Sequence, residues 1–448
     1  MLKRKAYYDL LKWKKEKRER NQLEALMILG ARQVGKSFLI EKQFSKTYKS
    51  FIKINFIHNP SLKEIFANTR NPSDIYKKVS LYFPEVELIP GDTLFFLDEI
   101  QNCGDARTAL KFLAIDNKYD FVVSGSLLGL QYGENADKNV EVPESIPVGY
   151  ERPYVMHSLD FEEFLWAKGY KQEHIDYVRE FFDKKEKIPF SVNNKFHELF
   201  KEYMVVGGMP EVVMKYIETN NYSETFEVQD KLIKEYKADI AKHAKGDEKI
   251  KVNACYESVP KQLSKELKKF QYSIVEKGQT KRKYGGSIKW LIDSGLVYPC
   301  YNVTEPYIPL IANEKEEQFK LYINDTGLLT QLYGRETKIA ILNGTLKGNA
   351  KGGIYENIIA EQLVKNGFNL HFYKPNSEQE IEFIIEKDGQ VLPVEVKAGN
   401  NPTPSLNKFI NQFKPSIAYK MIDGNIGTID SKVTLPHYMI MFVKPSII

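Results

Sequence analysis

The sequence predicts an α/β protein built on a mainly parallel sheet with helices on both faces, followed by two smaller pieces of mixed helix and strand. Three observations carry that expectation. Short apolar runs alternate with helix-like segments from Leu23 to about Tyr150; a glycine-rich turn, "GARQVGKS", joins the first run to a helical segment; and another run, "DTLFFLDEI", ends in paired carboxylates. Strand–helix alternation favours parallel pairing, because a crossover must carry the chain back before the next strand can start.

The strands are expected at 25–29, 51–56, 93–97 and 121–123, short apolar runs of which 51–56 alone alternates with polar residues. From 159 to about 240 the pattern is helical, broken at "VVGGMPEVV", where two glycines and Pro210 mark a turn and a helix start. Next, "VPKQLSKELKKF" and "KYGGSIKWLIDSGLV" read as helices, the second ending at Ser294-Gly295, and "LVYPCYNV" and "FKLYIND" read as strands. Helix, helix and two strands is the order of a winged helix. The glycine-rich "LNGTLKGNAKGG" (342–353) reads as a linker, followed by a helix at 354–366 and strands at 370–374, 380–386 and 391–396, the last two joined by a "KDGQ" turn. The expected domains are therefore 1–225, 226–341 and 342–448.

With 448 residues, 42% hydrophobic and 27% charged, the chain can bury several cores. It has no run near the roughly 18 apolar residues of a membrane helix, and its basic first residues lead into no apolar segment, so no membrane insertion and a cytoplasmic location are expected. Cys103, Cys255 and Cys300 lie far apart, and the histidines, His157 and His243 among them, have no partner at metal-ligand spacing. A net charge of +5 says little about partners; its distribution says more. Residues 3–20, "KRKAYYDLLKWKKEKRER", form an amphipathic basic helix that either docks on the first domain or meets a polyanion. A second basic region holds Lys261, Lys265, Lys268, Lys269, Lys277, Lys281, Arg282, Lys283 and Lys289, and suits either DNA or RNA phosphates or a protein partner.

A strand running into a glycine-rich turn and then a helix leaves several backbone N–H groups unpaired at one point, which calls for an anion. Gly30 and Gly35 allow the tight turn, Lys36 reaches terminal phosphates, and Ser37 offers a hydroxyl to Mg²⁺. Residues 30–38 (Gly30, Ala31, Arg32, Gln33, Val34, Gly35, Lys36, Ser37 and Phe38) are thus the expected nucleotide-binding loop. Asp98 and Glu99, at the carboxyl end of another strand, would hold the metal and polarise the attacking water. Ser124 or Ser126, ending a third strand, either senses the γ-phosphate or caps the next segment.

Together, "GARQVGKS", "FLDEIQ", "VVSGSLLG", "SIPVGY", "LDFEEFL" and "VGGMPEVV" resemble the bacterial and archaeal family of AAA-type ATPases that join an N-terminal nucleotide-binding domain to a C-terminal domain of uncharacterised role. The likeness extends over the chain, with "YESVPKQLS" and "FKLYINDTGLL" marking a winged-helix-like middle and "YEN", "EIEF" and "EVKAG" the tail. It implies a P-loop NTPase domain, ATP and Mg²⁺ as ligands, and ATP hydrolysis. In the tail, Glu382 and Glu395-x-Lys397, with Glu356 from the preceding helix, resemble the metal-binding constellation of PD-(D/E)XK nucleases; Glu382 departs from it, standing where an aspartate is usual and following Ile381 rather than proline. Two functions follow. One is an ATPase coupled to nucleic-acid binding or cleavage; the alternative is a nucleotide-gated switch whose inactive tail docks a protein or nucleic acid. An arginine finger would come from Arg152 or from a second copy or another partner chain.

Overall fold

The computed structural model describes residues 1–125, 149–244, 246–399 and 401–446, and divides the chain into two compact units, 3–157 and 158–448 with residues 1–2. The first unit runs α1 (Lys5–Glu19), β1 (Ala25–Leu29), α2 (Lys36–Lys42), β2 (Ser50–Asn55), α3 (Pro72–Tyr82), β3 (Thr93–Asp98), α4 (Gly104–Asp116), β4 (Asp120–Ser124) and β5 (Glu151–Val155). Its five strands are all parallel, in the order β2-β3-β4-β1-β5. Strand alternation sorts their side chains between two cores. Leu26, Ile28, Phe96 and Val122 face α1 and α2, while Ala25, Met27, Phe95, Leu97 and Val123 face α3 and α4. Such two-sided burial is why the inner strands β1, β3 and β4 read as apolar runs, whereas β2 alternates and β5 is polar.

Helix α1 buries Ala6, Leu10 and Trp13 in the sheet core, and also buries Lys14 and Lys17. Lys17 pairs with Asp120 at 2.6 Å, at the start of β4. Part of the basic charge of this helix is therefore neutralised inside the unit, which favours the docked-helix expectation.

The second unit opens with five helices, α5 (Phe161–Ala167), α6 (Gln172–Lys184), α7 (Phe190–Val206), α8 (Pro210–Thr219) and α9 (Tyr222–His243). Three more follow, α10 (Glu248–Leu263), α11 (Tyr272–Val275) and α12 (Lys281–Asp293), then β6 (Val297–Val303) and β7 (Glu314–Ile323). The remainder is α13 (Thr326–Tyr333), α14 (Arg335–Leu342), α15 (Asn349–Lys365), β8 (His371–Tyr373), β9 (Ile381–Lys387), β10 (Gln390–Val396), α16 (Pro404–Phe413), β11 (Ala418–Ile422), β12 (Gly427–Ile429) and β13 (Lys432–Pro436).

Three expectations change here. The boundary lies at 157/158 rather than at 225, because α5 to α8 share one core with the later helices: Leu159, Phe161, Phe164 and Val205 cluster with Leu328, Ile358 and Leu363. The strands assigned to a separate winged helix do not stand alone. Antiparallel β6 and β7 continue through β8 into a single eight-stranded sheet, ordered β12-β13-β11-β10-β9-β8-β6-β7, so 226–341 and 342–448 are not independent domains. Finally, the glycine-rich linker is helical from Asn349 onward. A Cβ on Gly353 would lie 2.4 Å from the Leu263 carbonyl oxygen, so glycine serves there for close packing of α15 on α10 and not for flexibility.

Candidate nucleotide site and tail cluster

In the first unit, β1, β2, β3 and β4 end at Leu29, Asn55, Asp98 and Ser124, and because all run parallel these residues share one edge of the sheet. Ligands of open α/β sheets bind at that carboxyl edge. The loop after β1 lies there. Gly30 has φ of 143° and its missing Cβ would come within 2.2 Å of the Met156 carbonyl oxygen, so no other residue fits. Gln33 (φ 65°) and Gly35 (φ 95°) bend the chain into the first turn of α2. Ala31 and Val34 are buried in the core on the α1 side of the sheet, and Phe38 is exposed. What Ala31 and Val34 offer an anion is therefore their backbone.

Lys36 is folded back on its own loop, donating to the carbonyl oxygens of Gly30 at 2.8 Å and Ala31 at 2.9 Å. Burial pushes its ammonium down to about 8, against the pull of the Glu99 and Asp98 charges. An incoming phosphate would give this cation a counter-charge that the two carbonyls do not.

Asp98 is the hub of the edge. Its carboxylate is buried, which is tolerable only because donors surround it. Ser37 Oγ donates to Oδ1 at 3.1 Å, Ser124 Oγ donates to the same oxygen, Asn55 Nδ2 donates to Oδ2 at 2.9 Å, and Lys53 Nζ stands 3.6 Å from Oδ2. Ser37, Asp98 and Ser124 thus come together, with Ser124 reached because β4 lies between β1 and β3. Glu99 adopts a left-handed conformation (φ 58°, ψ 50°), which costs a non-glycine residue about 1 kcal/mol and turns the chain at the strand end. Its N–H meets Ser124 Oγ at 3.4 Å, and its Oε2 accepts from Gln101 Nε2 at 2.6 Å. The oxygen donors of Ser37 and Asp98 suit a hard divalent cation.

Three contributors escaped the sequence reading. Asn55 and Lys53 come from β2, where a single polar residue at a strand end carries no motif. Arg4, buried just before α1, donates to Val34 O at 3.0 Å and to His157 O at 2.6 Å, tying the start of the chain to the loop. Arg152 is no finger for this site: it pairs with Glu16 at 3.0 Å and Glu24 at 2.7 Å, and its place opposite Leu26 puts it toward the other edge of the sheet. Ser126 lies outside the described residues, as do the second half of "VVSGSLLG", most of "SIPVGY" and the His243 side chain.

In the second unit, Glu382, Glu395 and Lys397 converge and Glu356 does not. Lys397 Nζ lies 3.1 Å from Glu382 Oε1 and 2.7 Å from Glu395 Oε1. On β9, three residue steps (Ile381 to Ile384) match two on β8 (Tyr373 to His371); Glu382 sits in this irregularity, and its Oε2 accepts from Val396 N–H at 3.1 Å. Glu395 Oε2 is buried without a hydrogen-bond partner. Burial and the Glu382 charge push the Glu395 carboxyl well above the usual range, whereas burial of Lys397 is outweighed by its two carboxylates and its ammonium is pushed up.

Glu356 belongs to a different cluster. Its oxygens meet Lys268 at 2.6 Å, Lys320 at 3.5 Å and Tyr322 OH at 3.3 Å, and Lys320 also pairs with Glu380 at 2.7 Å. Burial opposes its charge, but the two lysines hold it below the usual carboxylate range. The expected trio of metal carboxylates is therefore a pair, and no group of three or more His, Cys, Asp or Glu side chains among the described residues is placed to hold a metal. Cys103, Cys255 and Cys300 are buried free thiols, and no described helix is long and apolar enough to cross a membrane.

Residues 22–165 match the model of an AAA domain family; residues 197–339 and 351–434 match two domains of unknown function, DUF8612 and DUF4143. No curated protein matches the chain. Among solved structures it is similar to the Walker-type ATPase PABY2304 of Pyrococcus abyssi (15% identity, TM-score 0.42, covering 74% of this chain and 96% of that one). It is also similar to a signal-transduction ATPase with numerous domains and a tetratricopeptide repeat sensor, PH0952 of Pyrococcus horikoshii (11% identity, TM-score 0.26, covering 79% of this chain and 45% of that one). A third is the Drosophila ORC bound to AT-rich DNA and Cdc6 (12% identity, TM-score 0.21, covering 73% and 91%). The family match and the sheet order with β4 between the loop strand and the acidic strand make the first unit an AAA-type P-loop fold.

Proposed function

We propose that the first unit binds ATP with Mg²⁺ and hydrolyses it. The observation that carries this reading is the gathering, at one sheet edge, of a loop whose half-buried lysine meets only carbonyl oxygens and an aspartate bonded to Ser37 and Ser124. The loop amides and Lys36 would take the phosphates, Ser37 and Asp98 would hold the metal, and Ser124 would report on the terminal phosphate. A magnesium ion held there would supply positive charge against the charge of the phosphates. Glu99 accepts a proton from, or orients, the attacking water; Gln101 holds its carboxylate meanwhile.

The test is phosphate release by the wild type and Glu99→Gln. The variant should keep its nucleotide affinity and lose turnover by roughly 10²- to 10⁴-fold. Equal rates would remove hydrolysis at this site and leave the nucleotide-gated switch.

For the tail, Glu382 and Glu395 would hold a divalent cation beside Lys397, and the orphaned Glu395 Oε2 supports that fit. Such a cation would supply an activated water for phosphodiester cleavage. Incubation of nicked, linear and single-stranded DNA with Mg²⁺ or Mn²⁺ should give cutting that Lys397→Ala abolishes. Cutting that persists in the variant has another source.

A further inference from the structure

Between Lys261 and Trp290 the chain holds nine basic residues and two acidic ones, Glu266 and Glu276, an excess of seven positive charges where the whole chain has a net +5. Among the nine, Lys268 is taken by Glu356 at 2.6 Å, Lys283 by Glu276 at 2.7 Å and Lys289 by Asp293 at 3.1 Å. The other six, Lys261, Lys265, Lys269, Lys277, Lys281 and Arg282, form no ion pair among the described residues, and all but half-buried Lys269 are exposed.

They belong to one packed group of elements, since α10 packs against both α11 and α12. Lys261 and Lys265, at the carboxyl end of α10, border a groove of about 640 Å³ together with Ile274 of α11 and Tyr333 of α13. Lys281 and Arg282 open α12. Six cations, all but one exposed, on adjoining elements repel one another and hold counterions, which a ligand bringing several negative charges at once would release. Leu267 is the one large apolar side chain strongly exposed between Lys261 and Arg282. Outside the groove, whose apolar lining of Pro260, Ile274, Leu332 and Tyr333 is rimmed by Lys261 and Lys265, the face thus offers a protein partner one apolar anchor for six cations.

We infer that this surface of α10 to α12 is a nucleic-acid-binding face that grips the phosphate backbone without reading sequence. Recognition of this kind is set by counterion release, so its signature is salt dependence. The assignment stands apart from nucleotide turnover, since its readout needs no ATP.

The experiment uses the full chain and fluorescence anisotropy with one labelled sequence as duplex DNA, single-stranded DNA and single-stranded RNA, from low to physiological salt. Binding should fall linearly in log–log form, with a slope between about −3 and −5 for duplex DNA if most of the six cations engage. The pair Lys261→Glu/Lys265→Glu, and separately Lys281→Glu/Arg282→Glu, should each weaken binding at least about tenfold and flatten the slope by about two. Reversals at exposed Lys184 and Lys195 serve as the control. Because the four tested side chains are exposed, melting temperature should hold; if a reversal lowers it, the Lys→Gln forms replace it with smaller losses of the same sign. The arms of the titration tell which nucleic acid is preferred. Binding unchanged by both pairs, or absent at low salt, overturns the inference, and so does equal affinity for polyglutamate of matched charge, which would assign the face to an acidic protein.

Discussion

The two units each place a lysine near carboxylates at a sheet edge, the first among parallel strands and the second where β9 and β10 run antiparallel, and the two lysines are driven in opposite directions. Lys36 donates only to the neutral carbonyls of Gly30 and Ala31, and burial pushes it down to about 8. Lys397 lies against Glu382 and Glu395 and is pushed up, while Glu395 is left with an orphaned oxygen and a raised carboxyl. In the first cluster the lysine hydrogen-bonds to no carboxylate, since Asp98 and Glu99 act on it only as neighbouring charges, and it gains by taking an anion. The second has two carboxylates for one ammonium, and gains by taking a proton or a cation. Similar residues thus prepare opposite ligand chemistry, and the decisive feature is what each lysine touches.

The largest expected effect separates the clusters directly. Lys36→Ala should lower steady-state phosphate release by about a hundredfold or more, whereas Lys397→Ala should leave it unchanged. A loss in both variants would mean that the second unit feeds the first.

The next effect is in pH. Lys36 binds phosphate as the ammonium, so nucleotide affinity should be constant well below pH 8 and fall by up to about tenfold per unit above it. Calorimetry near pH 8 in buffers of different ionisation enthalpy should register proton uptake on binding. No uptake would contradict the depressed ammonium.

A smaller effect sharpens the contrast in the tail. A carboxyl whose folded pKa is raised stabilises below its unfolded pKa and loses that stabilisation as pH rises through the folded value. Glu395→Gln, which cannot ionise, should therefore melt higher than the wild type at pH 8, by an amount on the order of 1 kcal/mol for one unsatisfied buried oxygen, and the gap should shrink toward pH 5. Thermal melts at the two pH values decide it; a gap that widens on acidification has the wrong sign.

The smallest effect concerns Arg4. Losing its two carbonyl contacts in Arg4→Met should raise KM for ATP by roughly three- to tenfold with little change in kcat, about 1 kcal/mol of loop positioning. A fall in kcat alone would place Arg4 in the chemistry instead.

Much of the first unit was legible because its signals are local. The buried runs of β1 to β4, the loop at residues 30–38 and Asp98 at the end of β3 each occupy a few consecutive residues. β5 was missed because "ERPYV" is polar and half exposed, as an edge strand can be. The boundary at 157/158 was missed because no glycine or proline run marks it, while the glycines at 352 and 353 that suggested a linker lie inside α15. In the tail, spacing fixed Glu395 and Lys397 as neighbours. It could not show that Glu356, one helix earlier, turns to Lys268 and Lys320 instead, because that choice is made by partners 36 to 88 residues away in the chain.

The most direct test of the central claim is calorimetry of the whole chain with Mg²⁺ and a non-hydrolysable ATP analogue, with Lys36→Ala beside it. The wild type should release heat at a single site per chain and melt at a higher temperature when saturated, and the variant should do neither. An absence of heat and of thermal protection in the wild type, or identical binding by the variant, would contradict a phosphate grip by the loop from Gly30 to Ser37.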